Sequence, residues 1–124
     1  MEIIENAKIE STMLGIEDHG IMTYFLYTES ESYSQGFGGF GMDEPYKEKG
    51  KFVERRGSAY GTESIKKILE AIGVDKWEDL KGKYIRIRRD NDRLGGKIIG
   101  IGHITKNQWF FPEDLRERYY PEED

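Results

Sequence analysis

The sequence contains no cysteine and only two histidines, His19 and His103, among its 124 residues. The absence of cysteine excludes disulfide bonds, cysteine-ligated zinc, iron–sulfur clusters and thiol catalysis. Two histidines far apart in the sequence, with no third or fourth ligand indicated, make a weak case for a metal site. We therefore expect neither a metal nor a cofactor.

Long apolar runs are also missing, since no stretch approaches the ~20 consecutive apolar residues that a membrane helix needs. The first eight residues, MEIIENAK, lack the basic and apolar regions of a secretion signal. Charged residues make up 35% of the chain, well above the usual ~25%. A chain of this length is one ordinary domain, so we expect a single cytoplasmic ligand-binding domain over residues 1–124.

Basic residues are scarce in the first 50 positions, which hold 3 basic and 10 acidic side chains. The balance reverses in residues 81–106, with 8 basic and 2 acidic side chains, although the net charge of the chain is −5. A protein that binds nucleic acid over its whole surface is usually basic overall. The local excess favours a cationic patch for a small anion, and self-association with the acidic tail would explain the same asymmetry.

The hydrophobic pattern predicts an α+β fold, an antiparallel sheet with one main helix packed on it. Residues 21–27 are apolar and aromatic, as in an interior strand. Tyr84–Arg88 alternates with period two, which directs Ile85 and Ile87 to the core. The returning strand is predicted over residues 97–105.

The helix is predicted from its apolar stripe, with Thr62 as N-cap and Gly73 as C-cap. Residues 43–58 show no sustained period and are predicted as a loop excursion. Pro112 is expected to begin a short C-terminal helical segment that runs into an acidic tail over residues 119–124.

Residues 36–41, GFGGFG, have the G-x-G-x-x-G spacing of phosphate-binding turns in dinucleotide folds. No helical period follows and Pro45 comes at once, so we exclude that fold. Two interpretations remain: a flat or anionic ligand approaches the backbone at Phe37, Gly38 and Gly39, or another strand crosses there.

The strongest cationic feature is residues 86–93, RIRRDNDR. Guanidinium groups bind phosphate through paired hydrogen bonds and remain charged at physiological pH. Arg88 and Arg89 are therefore candidate ligand contacts, and Asn91 would recognise a base or ribose edge. The alternative is a solvated hairpin edge that its charges protect from aggregation.

Aromatic residues near the C-terminus form a second candidate group. Trp109 and Phe110 would stack on bases at roughly 1–3 kcal/mol each, while Arg116 and Arg118 would bind phosphates. Asn107 would supply a polar edge. Packing of the rings in a core or an interface explains the same pattern.

Asp18 and His19 lie next to each other in a glycine-bounded turn, and acid–base catalysis uses such groups. Neighbouring turn residues usually point apart, and an aspartate in a turn commonly bonds its own backbone. We expect a structural turn here and no catalytic residue.

Several short motifs follow one another in an order that resembles a known family. They are IENAKI (4–9), TMLG (12–15), DHG (18–20), GFGG (36–39), AYG (59–61), GHI (102–104) and WF (109–110). The chain resembles small phage and prophage proteins, in particular the phage anti-Thoeris sponge family. The resemblance covers most of the chain apart from residues 43–56 and the acidic tail.

This resemblance implies a non-enzymatic protein that sequesters cyclic ADP-ribose isomers made by bacterial TIR-domain proteins, so that the downstream effector is not triggered. It also implies a homo-oligomer with ligand sites between subunits. Some members of the family also bind cyclic oligonucleotides. Such a protein would act in the cytoplasm of the infected bacterial host. Sequestration needs tight binding without transition-state chemistry.

Other functions stay open at this point. A small accessory protein that binds single-stranded nucleic acid through residues 86–93 would show steep salt dependence. A nucleotide hydrolase using Asp18 and His19 would release a chemically altered product. An inhibitor whose acidic regions mimic nucleic acid would bind a protein instead.

Overall fold

Two sheets and two helices make up the computed structural model, which describes residues 2–31, 34–90 and 96–122, with only the backbone of Asp18. In chain order the elements are β1 (Ile3–Glu17), β2 (Ile21–Glu29), β3 (Ser34–Gly38), β4 (Asp43–Glu48), β5 (Lys51–Gly57), α1 (Ala59–Ile72), β6 (Tyr84–Arg89), β7 (Ile98–His103), β8 (Trp109–Phe110) and α2 (Pro112–Tyr119). Six strands form an antiparallel sheet in the order β3-β2-β1-β6-β7-β8, and β4 and β5 form a second sheet. The predicted α+β class is confirmed.

The predicted strands are present with shifted ends. Residues 21–27 belong to β2, which extends to Glu29 and lies between β1 and β3, so the interior position is confirmed. The returning strand predicted over 97–105 is the shorter β7.

Side chains alternate between two faces of the large sheet. The inner face packs against α1, and its buried residues on the sheet include Ala7, Ile9, Ile85, Ile87 and Ile101. The inward direction predicted for Ile85 and Ile87 is confirmed. On the opposite face, Tyr84 is 61% exposed. We call these two sides the inner face and the outer face.

Ser58 begins α1, so the predicted N-cap Thr62 is wrong by one turn. The Ser58 hydroxyl oxygen accepts a hydrogen bond from the Gly61 amide at 3.0 Å, the arrangement that satisfies a free amide at a helix start. The predicted end is confirmed, because Gly73 adopts φ 88° and its N–H donates to the Leu69 carbonyl at 2.8 Å. Glycine tolerates this left-handed conformation.

Residues 43–57 form a β-hairpin, so the predicted loop excursion over 43–58 is wrong. β4 pairs antiparallel with β5, with a bulge next to Tyr46. Most side chains on both strands are exposed, and without a buried face the sequence shows no alternation. We call this hairpin the arm.

The arm is fixed to the large sheet at its base. Arg55 and Asp43 form an ion pair at 2.8 Å, and the Asp43 carboxylate accepts the Met22 amide of β2 at 3.1 Å. The Met42 amide donates to the Met22 carbonyl at 2.8 Å. These bonds determine where the arm leaves the sheet.

The C-terminal helix begins at Pro112, as predicted, and buries Leu115 in the core. The predicted acidic tail over 119–124 begins inside this helix, and the Tyr119 and Tyr120 rings pack edge-on against Tyr60. Over the described ranges, neither α1 nor α2 is long and apolar enough to span a membrane.

Candidate functional site

The register of β1, β6, β7 and β8 places one residue from each strand in a row across the outer face. Asn6 on β1 is paired with Arg86 on β6, and Arg86 is paired with Gly102 on β7. Gly102 is in turn paired with Trp109 on β8. Directly opposite residues of antiparallel strands share a face, so the row crosses the sheet on its uncovered side.

Two further rows flank this one. Arg88 is paired with Ile4 and with Gly100, and Tyr84 is paired with Lys8. The Phe111 ring, just beyond β8, covers Gly100. We call the following residues the outer-face cluster: Asn6, Lys8, Tyr84, Arg86, Arg88, Trp109 and Phe111.

Glycines on β7 allow the two C-terminal rings to lie directly on the backbone. A Cβ at Gly102 would stand 2.7 Å from the Trp109 ring, and one at Gly100 would stand 2.5 Å from the Phe111 ring. The two rings are nearly parallel, with centroids 6.0 Å apart and planes at 17°. The glycine positions therefore determine how closely these aromatic side chains approach the sheet.

Arg86 connects the cluster to the loop before β8. Its guanidinium donates to the His103 carbonyl at 2.8 Å and to the Lys106 carbonyl at 2.7 Å. The His103 Nδ1 atom accepts the amides of Thr105 and Lys106 at 3.1 and 3.0 Å. This network fixes the loop that carries Asn107 and leads into Trp109.

Arg88 lies against both rings. Its guanidinium carbon is 4.6 Å from the Trp109 ring centroid and 5.2 Å from that of Phe111, within the range of cation–π attraction. The Arg88 Nε is buried and has no hydrogen-bond partner among the described residues. A buried donor without a partner costs about 1–3 kcal/mol, so the ring contacts hold this cation at a cost to stability.

The β1 side of the cluster adds a cation and an amide. The Lys8 ammonium lies 5.9 Å from the Tyr84 ring centroid. Asn6 is exposed in the middle of a long strand, where asparagine is disfavoured. Within the described pairings, the carboxylate next to these rows is Glu29, opposite Lys8. Lys8, Arg86 and Arg88 place three cations in these rows, which makes this part of the face attractive to anions.

A second candidate lies around the open edge of β8. A cleft of about 710 Å³ is lined by Lys67, Trp109 and Arg118 together with the carboxylates of Asp114 and Glu117. Its size is within the range of small-molecule sites. Its charges nearly cancel, however, which makes it a weaker site for phosphates than the outer-face cluster. We call it the edge cleft.

Four of the sequence-predicted site residues meet at this edge. Trp109, Phe110 and Arg118 line the edge cleft, and Asn107 lines an adjoining cleft of about 510 Å³ with Trp109. Arg118 also forms an exposed ion pair with Glu63 at 3.2 Å. Trp109 is the residue shared by both clefts and the outer-face cluster.

The glycine-rich residues lie elsewhere, on the β3 side of the sheet, where Gly39 is exposed, so ligand contact at Gly38 and Gly39 stays a prediction. The Phe37 ring is 2% exposed and belongs to the core, which corrects its predicted role as a ligand contact. A Cβ at Gly38 would stand 2.2 Å from the Tyr24 carbonyl, and the Gly39 amide donates to the same carbonyl at 2.8 Å. These glycines bring β3 close to β2, and five strand spacings of ~4.8 Å, about 24 Å, separate β3 from β8.

Two other predicted contacts point to the inner side. Arg89 is 4% exposed and forms an ion pair with Glu5 at 2.9 Å. Phe110 is 3% exposed and belongs to the core, so only its neighbour Trp109 presents a ring to the outer face. Burial and the ion pair correct the predicted ligand contact of Arg89, whereas Phe110 also lines the edge cleft and its ligand contact stays a prediction. Asn91 lies outside the described residues.

Arg116 is exposed on α2, away from the outer-face rows. Its guanidinium lies 5.9 Å from the Tyr120 ring centroid, in a shallow cleft that Glu113, Glu117 and Glu122 also line. These carboxylates oppose binding of a phosphate there. The predicted pairing of Arg116 with Trp109 on one ligand is not seen.

The turn with the two acid–base candidates is structural in its backbone. Asp18–Gly20 forms a short 3-10 turn in which His19 adopts φ 63°. The Asp18 side chain lies outside the described part of the chain, and acid–base catalysis by Asp18 and His19 stays untested.

The tyrosines near α1 are held in their neutral form. Burial raises the pKa of Tyr24 and of Tyr60 above the usual value. A hydrogen bond from its hydroxyl to Glu63 raises the pKa of Tyr119, and burial raises the pKa of Tyr120. At neutral pH these phenols keep their protons: Tyr119 and Tyr120 donate hydrogen bonds to Glu63 and Glu44, and Tyr24 packs in the core.

The cluster members that the sequence did not predict as site residues are Asn6, Lys8, Tyr84, Arg86 and Phe111. The alternation of Tyr84–Arg88 already directs Arg86 and Arg88 outwards, so the sequence did indicate that Arg86 lies on the exposed face. The position of Asn6 beside Arg86 depends on the pairing of β1 with β6, which are about 80 residues apart in the chain. Local pattern carries no information on that pairing.

Comparisons with known proteins add no relative to this picture. No protein-family model matches the chain, and no curated protein matches it.

Proposed function

We propose that this protein binds a cyclic ADP-ribose isomer on its outer-face cluster and holds it without converting it. By removing a signal made by bacterial TIR-domain proteins, it would block Thoeris immunity in the cytoplasm of the infected host. The family resemblance supplies the identity of the ligand. The observation that carries the proposal is the alignment of Arg86 and Arg88 with Asn6 and Trp109 on an uncovered sheet face.

The chemistry of this ligand suits the cluster. Its two phosphates carry negative charge, which guanidinium groups bind in a directed way. Arg86 uses two of its five N–H groups on carbonyls and keeps three for a ligand. The exposed Tyr84 ring offers a stacking surface for adenine, and the Asn6 amide matches the donor and acceptor pair on the adenine edge.

Stoichiometric capture requires a dissociation constant below micromolar, a binding free energy more negative than about −8 kcal/mol. An open sheet face buries only one side of a ligand. The homo-oligomer implied by the resemblance would cover the other side, which fits ligand sites placed between subunits.

Calorimetric titration with cyclic ADP-ribose isomers tests the proposal. Arg88→Gln removes a cation from the cluster and should weaken binding by about 2 kcal/mol, roughly thirtyfold in Kd. The matched control is Arg56→Gln, because Arg56 lies on the arm in an exposed pair with Glu54. Thermal unfolding of each variant checks the fold. Equal affinities for Arg88→Gln and wild type would remove the outer-face cluster from the proposal.

Single-stranded nucleic acid is a second candidate ligand, favoured by the extent of the cluster over four strands. Lys8 and Tyr84 continue the basic and aromatic rows beyond Arg86, as on sheet surfaces that stack successive bases. Binding of an oligonucleotide would weaken steeply with salt, because each phosphate contact releases counterions. Parallel titrations of an oligonucleotide and of cyclic ADP-ribose at several salt concentrations separate the two.

A further inference from the structure

The arm exposes two large apolar side chains on β5. Phe52 is 61% exposed and Val53 is 49% exposed. A two-stranded hairpin alone is marginally stable in water. The face of the arm that carries Phe52 is therefore a surface that gains stability when it is covered.

The edges of the arm are poorly suited to strand addition. Pro45 on β4 has no N–H to donate, and the bulge next to Tyr46 interrupts the ladder. Both features are known to blunt an exposed edge. Contact through the face with Phe52 is the remaining way to cover the arm.

A second group of exposed apolar side chains lies at the far end of β1 and β2. Ile16 is 74% exposed and is paired with Met22, which is 36% exposed. Leu14, two residues before Ile16 on the same face, is 39% exposed. The arm of the same chain leaves the sheet beside Met22 and still leaves Ile16 uncovered.

The charges of the two surfaces are complementary. Residues 14–24, which form the β1–β2 end, contain two acidic residues, Glu17 and Asp18, and no lysine or arginine. The end of the arm carries Lys47, Lys49 and Lys51 with one carboxylate, that of Glu48. Each side thus offers the sign that the other lacks.

We propose that the arm docks on the β1–β2 end of a second copy of this chain, with Phe52 against Ile16 and Met22. Every chain carries both surfaces, so a twofold axis lets each arm cover the patch of the other copy. The proposal does not depend on nucleotide binding, because none of these residues belongs to the outer-face cluster.

Single-cysteine variants test this contact directly, since the natural chain has no cysteine. Ile16→Cys and Phe52→Cys are purified separately, mixed and oxidised mildly. We expect a disulfide-linked dimer with one copy of each variant, at twice the 14.5 kDa chain mass. A mixture of Ile4→Cys with Phe52→Cys is the control. Cross-linking of Ile16→Cys with Phe52→Cys no better than this control would overturn the proposal.

The mass in solution provides an independent test. Light scattering should give an oligomer for the wild type and a smaller mass for Phe52→Glu, whereas Thr62→Glu, with the same change of charge at an exposed position of α1, should keep the wild-type mass. A monomeric wild type, or a Phe52→Glu variant with the wild-type mass, would contradict docking by the arm. Calorimetry on the same samples reports nucleotide binding separately, so failure of one proposal is distinguishable from failure of the other.

Discussion

On both the β3 side and the β8 side of the sheet, aromatic rings lie over glycines of a neighbouring strand. The two sides differ in how close the rings lie to the glycine backbone. On the β3 side, a Cβ at Gly36 would meet the Tyr27 and Phe25 rings at 3.6–3.9 Å, which is ordinary contact. On the β8 side, a Cβ at Gly102 would stand 2.7 Å from the Trp109 ring. The β8 side also carries arginines, whereas the neighbours of Tyr27 on β2 include Glu29.

On our proposal that the outer-face cluster binds a ligand, this difference shows how a sheet face becomes a binding surface. The rings at β8 press on the backbone, and Arg86 and Arg88 lie against Trp109 at 4.9 and 4.6 Å. Packing and cation–π contact thus restrict the guanidinium groups, which on our proposal lowers the entropy lost when the ligand binds. Phe25 and Tyr27 form a stacked pair without cations to orient.

The largest effect is expected from Gly102→Ala. The added methyl group would clash with the Trp109 ring and with the Gln108 carbonyl, at 2.7 and 2.8 Å, and such overpacking costs about 2 kcal/mol. Gly36→Ala is the matched control and should change the free energy of unfolding by no more than about 0.5 kcal/mol. Urea titration measures both. Equal losses in the free energy of unfolding for Gly102→Ala and Gly36→Ala would show that the two flanks are packed alike.

Arg86→Gln should have an intermediate effect. The variant loses the guanidinium bonds to the His103 and Lys106 carbonyls, at about 0.5–1.5 kcal/mol for a typical hydrogen bond. Amide hydrogen exchange should accelerate in the loop at Thr105 and Lys106, whose amides depend on the same network. Exchange at wild-type rates would mean that His103 alone holds the loop.

The smallest effect is expected on the β3 side, from Tyr27→Leu. The Phe25 and Tyr27 rings stack with centroids 5.6 Å apart and planes at 10°, and such pairs contribute about 0.5–1.5 kcal/mol beyond burial. Because Tyr27 is partly exposed, we expect about 0.5 kcal/mol in urea titration and unchanged nucleotide affinity. A loss of affinity would extend the binding surface across the whole outer face.

Much of the fold was predictable where a face is buried. The alternation of Tyr84–Arg88 gave the direction of Ile85 and Ile87, because a covered face imposes period two. The same rule explains the failure at residues 43–57, since a hairpin exposed on both faces leaves no pattern. The N-cap was misplaced because Thr62 and Ser58 are both good capping residues, and the contact of Ser58 with Met42 depends on tertiary structure.

The candidate site was less predictable. Arg88 and Trp109 were selected for their chemistry, and strand register brings them together. Phe37 and Phe110 have the same kind of side chain as Trp109 but point inwards, and one residue of register decides between the two faces. Asn6 is recognisable only when the pairing of β1 with β6 is known.

Recovery of the captured molecule tests the central claim most directly. The protein is mixed with a cyclic ADP-ribose isomer made by a TIR-domain enzyme, filtered to remove unbound ligand, and then denatured by heat. We predict that the retained fraction is released as the unchanged cyclic molecule, in proportion to the protein added, and that Arg88→Gln retains less. Free passage of the ligand through the filter, or release of a hydrolysed product, would contradict the account.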